Sequence, residues 1–236
     1  MNICAGDSSF KMTENSYKEY GLIWDMDGVL IDTAEAHYQA WKDTLSKYDI
    51  DFSRKYFDDT FGINDYSLIV EVIHPKPAED MIQEISLQKE RLYRTEIRKN
   101  LKVYPGVKEI LGECQSYGFK QVLDSSAPQE NIDAAMEISG LRPYFDQVIS
   151  TDGMPSKKFP DAYLAAATVL NLAPDHCIVM EDSILGIEGA KKAGMTCIAI
   201  ASTHPQNRLQ QADWIVSSIE KLNIITFQTI MGIQEG

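Results

Sequence analysis

The sequence predicts an α/β fold: a parallel β-sheet core, with an all-helical segment inserted after the first strand. Three observations predict it. From Tyr104 onward, short apolar runs alternate with stretches of helical periodicity, the pattern of βαβ units in a parallel sheet. Between Thr33 and Asn100 the apolar residues recur at helical spacing, with few strand signals. Finally, polar or charged residues follow the early strands and the fourth, as expected where a sheet presents its carboxyl ends to a ligand.

Taken in order, residues 1–18 are polar and lack periodicity, and are expected to form a loose arm. Leu22-Ile23-Trp24 is an apolar run ending at acidic residues and Gly28, a buried strand running into a turn. Residues 34–100 read as the helical insert, through Ala36, Trp41 and Leu45 and again through Met81, Ile85, Leu92 and Ile97. The core is then residues 19–33 and 101–236. Val107, Ile110, Leu111 and Cys114 share one helical face, and Gln121-Val122-Leu123 is a strand. Ile132, Ala135, Met136 and Ile138 suggest a helix, Gln147-Val148-Ile149 a strand, and Ala162 to Leu170 a helix. Cys177-Ile178-Val179-Met180 is a strand, and the helix through Ile187, Ala190 and Ala193 is closed by Gly194. Thr196 to Ile200 and Trp214-Ile215-Val216 complete the strands.

Composition narrows the function. A chain of 236 residues, 44% apolar, can bury a full core without metal or disulfide staples. The net charge of -13 argues against nucleic-acid binding, and it requires any phosphate site to be locally cationic. The widely spaced Cys4, Cys114, Cys177 and Cys197 fit neither a zinc pattern nor a disulfide framework, and three of them sit in apolar or helical runs as core thiols. No apolar run approaches the ~18 residues of a membrane span, and the N-terminus lacks the pattern of a signal peptide. A cytoplasmic monomer acting on a small molecule, with no membrane partner, is the expectation.

The strand ends supply a set of groups suited to phosphoryl transfer. Asp25 and Asp27 follow the first strand, Ser125 and Ser126 the second, Lys157 comes shortly after the third, and Glu181 and Asp182 end the fourth. Each has an ordinary alternative: Asp-Gly is a common turn pair, a serine before Pro128 can cap a helix, and paired lysines are often solvated. Four such features in one order on one sheet favour a shared site. Asp25 and Asp182 offer hard oxygens for Mg2+, which would offset the repulsion between a carboxylate nucleophile and a phosphate dianion. Lys157 adds a compact positive charge, and the Ser125 hydroxyl can donate to a phosphoryl oxygen. Asp27 is placed to protonate the leaving oxygen and then to deprotonate water.

Asp25-Met-Asp-Gly-Val-Leu-Ile-Asp-Thr, Leu123-Asp-Ser-Ser-Ala-Pro, Lys157-Lys-Phe-Pro-Asp and Val179-Met-Glu-Asp-Ser resemble the four motifs of the haloacid dehalogenase superfamily. The similarity is greatest to its β-phosphoglucomutase-like phosphatase branch and covers roughly residues 20–220. The resemblance implies a Rossmann-like core with a helical cap that opens and closes over the site. It implies Asp25 as nucleophile and Asp27 as acid/base, with Mg2+ held by the Asp25 carboxylate, the Asp27 carbonyl and Asp182, and Glu181 close by. Thr33-Ala-Glu-Ala-His-Tyr-Gln-Ala-Trp-Lys is similar to the matching segment of the mutases. Thr33, His37 and Trp41, four apart, would share one helix face, and together with Lys89 and Ser126 they are the candidate substrate contacts.

Three departures favour a monophosphate hydrolase over a β-phosphoglucomutase-type phosphosugar mutase, the alternative reading. After Phe61-Gly62, Asp65 stands where the mutases clamp a distal phosphate with arginine, leaving Arg91 or Arg94 as replacements. Asp124 occupies a place where the family has a small residue, and Ala127 and Pro128 replace further phosphate ligands. The expected activity is therefore a Mg2+-dependent phosphatase acting on a small phosphorylated metabolite, a sugar phosphate, through an aspartyl-phosphate. The dehalogenase branch needs neither the metal nor a second acid, so Asp27, Glu181 and Asp182 count against it. Receiver-type phospho-acceptors have no helical insert of this size after the first strand.

Overall fold

Alternation at period two lets each short strand feed two apolar layers at once. The computed structural model describes residues 17–60 and 63–232. The chain opens with β1 (Gly21–Asp25) and β2 (Ile31–Asp32), followed by α1 (Ala34–Leu45), α2 (Arg54–Thr60), α3 (Asp65–Val72) and α4 (Glu79–Asn100). It continues through β3 (Lys102–Val103), α5 (Val107–Tyr117), β4 (Lys120–Ser125), α6 (Gln129–Ser139), β5 (Gln147–Ser150) and α7 (Asp161–Leu170). Then come β6 (Cys177–Glu181), α8 (Ile184–Lys192), β7 (Thr196–Ile200), β8 (Trp214–Val216) and α9 (Ile224–Ile230).

Six strands form a parallel sheet in the order β5-β4-β1-β6-β7-β8. All six strands expected from the sequence are present. In β1, Leu22 and Trp24 face one side and pack with α5, α6 and α9, while Ile23 faces the other with α7 and α8. Successive residues of β4, β6 and β7 divide in the same way, giving three layers around the sheet. The chain leaves β1 toward β4 and β5, then returns to place β6 on the other side of β1. That reversal opens a crevice at the carboxyl ends of β1 and β6.

Helices α1 to α4 lie between β2 and β3, which pair antiparallel as a two-stranded ribbon. These helices enclose their own cluster, with Trp41, Leu45, Phe52, Phe57, Ile69 and Ile85 buried in it. Helices α1 and α4 also join the main core, through Ala40, Tyr93 and Ile97. Among the described residues no helix is long and apolar enough to cross a membrane.

Cys4, Phe61-Gly62 and residues 1–16 of the expected loose arm lie outside the described residues. At the arm's end the structure differs from the expectation. Tyr17 is buried, stacks on Phe119 with centroids 4.7 Å apart, and accepts a hydrogen bond from Gln228 of α9. An apolar ring of that size outweighs the polar residues around it.

Candidate active site

Asp25 is the last residue of β1, and its parallel neighbours bring Asp124 and Glu181 to the same rim. Lys157 reaches this rim from the loop after β5. Its Nζ lies 2.6 Å from Asp25 Oδ1, 3.1 Å from Glu181 Oε1 and 3.8 Å from Asp124 Oδ2. Gly189 of α8 makes the approach possible: a Cβ there would sit 1.8 Å from the Lys157 carbonyl oxygen. Burial works to lower the lysine pKa, but Asp25, Glu181 and Asp124 overcome it and hold Lys157 charged, well above the usual lysine range.

Glu181 is clamped. One carboxylate oxygen accepts from Lys157 and from the Tyr163 hydroxyl at 2.9 Å. The other accepts from the Asp182 and Ser183 N–H groups and the Ser183 hydroxyl. Although burial pushes its pKa up, Lys157 and Ser183 prevail and hold it below the ordinary glutamate value. Ser183 also caps α8, accepting from the Gly186 N–H.

Asp182 follows β6 and accepts from the Thr203 hydroxyl at 2.5 Å. Gly28, at φ +81°, lets the turn after β1 close onto this carboxylate, since a Cβ would come within 2.0 Å of its Oδ2. Burial, with Glu181 beside it, pushes the Asp182 pKa up to about 7. Burial also raises Asp25 well above the carboxylate range, against the pull of Lys157 and with the push of Glu181 and Asp182. Carboxylate oxygens of Asp25, Glu181 and Asp182 all lie within 4.8 Å of one another. Three hard oxygen donors this close, with excess negative charge, fit a small divalent cation such as Mg2+.

Asp27 is held by the Thr33 hydroxyl, which donates to its Oδ1 at 2.5 Å. Burial raises its pKa despite that bond and the nearby Lys157. Thr33 is the N-cap of α1, but its hydroxyl serves Asp27 rather than the helix end. Four-residue spacing therefore does not give Thr33, His37 and Trp41 one common role. The His37 ring stacks on Tyr93 at 4.2 Å, and burial together with Lys89 lowers its pKa well below the usual value, leaving a neutral imidazole. Trp41 is buried in the helical cluster, with Lys89 Nζ 5.3 Å from its ring.

Lys89 is itself buried, 2.7 Å from Glu90 and 3.3 Å from Asp65. Burial opposes its charge, but Asp65 and Glu90 outweigh it and raise its pKa. Asp65 also accepts from Ser86 at 2.7 Å. Glu90 accepts from Asn131 of α6, whose carbonyl oxygen accepts from Arg94 at 2.7 Å, so Arg94 is committed to the seam between α4 and α6. Arg91 is exposed. Ser125 is buried at the end of β4, where its Oγ accepts from the Ala127 N–H at 3.2 Å, while Ser126 is exposed. Asp124 is fully buried, and its second carboxylate oxygen has no hydrogen-bond partner.

The structure thus brings Asp25, Lys157, Glu181 and Asp182 together, with Ser125 ending β4 at the same rim. Asp27, Thr33, His37 and Lys89 form a neighbouring group. Sequence reasoning missed Tyr93, Tyr163, Thr203, Glu90 and Asn131. Thr203 lies just beyond a strand end and Tyr93 one turn after Lys89, so position gave some signal for both; Tyr163 gave none.

Comparison with known proteins bears on the family and the fold. The profile of the haloacid dehalogenase-like hydrolases matches residues 22–200. Hexitol phosphatase B of Escherichia coli is 30% identical over 209 residues, covering 85% of this chain and 92% of that protein. Protein SUPPRESSOR OF QUENCHING 1, chloroplastic, of Arabidopsis thaliana is 28% identical over 85% of this chain, which spans 19% of that longer protein. The crystal structure of β-phosphoglucomutase from Clostridium difficile superposes with a TM-score of 0.80 at 25% identity, covering 90% of this chain and 97% of that one.

Proposed function

The chain belongs to the haloacid dehalogenase-like hydrolase family, and from that premise we propose that it is a Mg2+-dependent phosphatase of small phosphorylated metabolites, sugar or polyol phosphates. The carrying observation is Lys157 seated between Asp25 and Glu181, with Asp182 closing a three-carboxylate cluster beside them.

In this reading an Asp25 carboxylate oxygen attacks phosphorus, and the bond from phosphorus to the substrate oxygen breaks. Asp27 gives its proton to that departing oxygen, a role suited to a carboxyl whose hold on a proton burial strengthens. Water then attacks the aspartyl-phosphate, Asp27 takes a proton from it, and the bond from phosphorus to Asp25 breaks to release phosphate. Lys157 is anchored to hold charge against the phosphoryl oxygens, and the Ser125 hydroxyl is placed to donate to one of them. Asp25, Asp182 and the Asp27 carbonyl would hold Mg2+ with Glu181 close by, and the ion would supply charge neutralisation and orientation. Tyr163 and Thr203 fix the carboxylates from behind.

Helices α1 to α4, residues 34–100, act in this reading as a cap that excludes bulk water and chooses the substrate. Thr33, His37 and Lys89 face the leaving group, Trp41 backs Lys89, and the exposed Ser126 contacts substrate from the rim. Neutralisation of Lys89 by Asp65 and Glu90 disfavours a second phosphate. That supports hydrolysis over a phosphosugar mutase, the second reading, which rests on the likeness to β-phosphoglucomutase. The names of the relatives support a carbohydrate-like substrate, and three buried free thiols suit a reducing cytoplasm.

The test is a phosphate-release screen over phosphorylated sugars, polyols and nucleotides, with Mg2+ or EDTA. Metal-dependent release from a sugar or polyol phosphate is expected. Conversion of β-glucose 1-phosphate to glucose 6-phosphate with a bisphosphate primer, without free phosphate, overturns hydrolysis in favour of the mutase.

A further inference from the structure

Tyr93 is fully buried in α4, three residues beyond Glu90 and four beyond Lys89. Its ring is fixed on both sides, by the stacked His37 ring at 4.2 Å and by the core around Ala40 and Ile97. Its hydroxyl lies against the Asp27 carboxyl and the Thr33 hydroxyl. It nevertheless completes a hydrogen bond of full geometry with neither. A phenol can both donate and accept, and a buried one left unsatisfied destabilises the fold. Phenylalanine would fill the same space without that cost.

What surrounds the hydroxyl shows which partner it awaits. Thr33 already holds Asp27 Oδ1 at 2.5 Å. To exchange a proton with an oxygen on a phosphorus atom at Asp25, the Asp27 carboxyl must turn from Thr33 toward the reacting centre. During that turn it would lose its donor and stand buried with an unmatched oxygen, unless a second donor lies on its path. We propose that Tyr93 is a positioning residue for Asp27, its hydroxyl donating to the Asp27 carboxyl when that group turns from Thr33 toward the substrate. The proposal rests on the phosphatase reading above. Because α4 carries both Tyr93 and Lys89, the acid/base is tied to the helix that leads out of the cap.

The variant Tyr93→Phe tests this with two substrates that differ in their need for an acid. p-Nitrophenolate leaves phosphorus without a proton, whereas the alkoxide of a hexose or hexitol phosphate requires one. In Tyr93→Phe, the pre-steady-state burst of p-nitrophenol, which reports phosphorylation of Asp25, should stay within about twofold of wild type. On the alkyl phosphate, kcat should fall by about tenfold or more with KM little changed, the loss expected for one hydrogen bond to an ionisable group. The melting temperature should be equal or higher, because an unsatisfied buried hydroxyl has been removed. An equal fall on both substrates would show a packing role and overturn the proposal. A rise in KM at constant kcat would make Tyr93 a substrate contact and overturn it too. Wild-type protein that releases phosphate from neither substrate overturns the phosphatase reading itself, and this inference with it.

Discussion

Asp25 and Asp27 stand two residues apart in one turn, yet their surroundings give them different work. Asp25 shares a lysine with Glu181 and belongs to a three-carboxylate cluster, whereas Asp27 is turned away onto Thr33. Asp25→Asn should therefore abolish phosphate release while leaving the far-ultraviolet circular dichroism spectrum unchanged, since the amide cannot carry the phosphoryl group but can keep its place beside Lys157. Phosphate release near the wild-type rate would remove Asp25 from the nucleophile's role. Asp27→Asn should lower kcat by about 10²–10⁴, the range for a positioned acid or base, and phosphoenzyme should accumulate where dephosphorylation becomes the slower step. Rapid-quench labelling measures both effects, and a variant with unchanged kcat would reject the assignment.

Helix α8 aims the site more than its sequence suggests. The small residue Gly189 on α8 lets the Lys157 loop lie directly on the helix. In Gly189→Ala the new methyl would overlap the Lys157 carbonyl, so the loop must move and carry the ammonium off Asp25. A loss of turnover on the order of 10²-fold is expected from a displacement of about 1 Å, read by kcat on the best phosphate ester beside a thermal melt. Full activity in the variant would show that the lysine reaches Asp25 by another path. Nothing in the sequence marks Gly189, because helical periodicity records which face is apolar and not how near another backbone passes. The six strands were legible, since their short, largely apolar runs recur between stretches of helical periodicity. The β2–β3 ribbon was not, because two residues per strand carry no period. Helix α9 was also missed: it is seven residues long, and its place is set by Phe227 meeting Trp24 and Phe119, a contact between distant parts of the chain. Lys157 and the acidic strand ends were legible by position alone, whereas the buried Lys89–Glu90–Asn131 chain depends on which helices meet.

At the scale of the whole molecule, the problem is acidity. A chain with a net charge of -13 gathers the buried Asp124 and Asp182 and the partly buried Asp25 and Asp27 near one another, with Lys157 paired to Asp25 and Asp124 and Lys89 also acting on Asp27. All four carboxyls are held above their ordinary range, burial being the first cause in each case. Asp182, pushed up to about 7 from an ordinary 3.8, sets a testable window. Between those two values the folded protein keeps a proton that the unfolded chain has lost, so raising pH removes stability, by up to about 1.4 kcal/mol per pH unit from this group. Metal-free protein should therefore melt at a lower temperature at pH 8 than at pH 5, and Asp182→Asn should flatten that difference. Mg2+ requires the ionised carboxylate and competes with the proton for it. Its stabilising effect should be small at pH 5, grow through pH 7 and then level off. At a hundredfold excess over Kd it adds about 2.7 kcal/mol. Thermal melts of wild type and Asp182→Asn across this pH range, in EDTA and in Mg2+, separate the two contributions. A magnesium-induced shift that is equal at pH 5 and pH 8, or that persists unchanged in Asp182→Asn, would show that the cation binds elsewhere and that the buried acids are balanced by some other means.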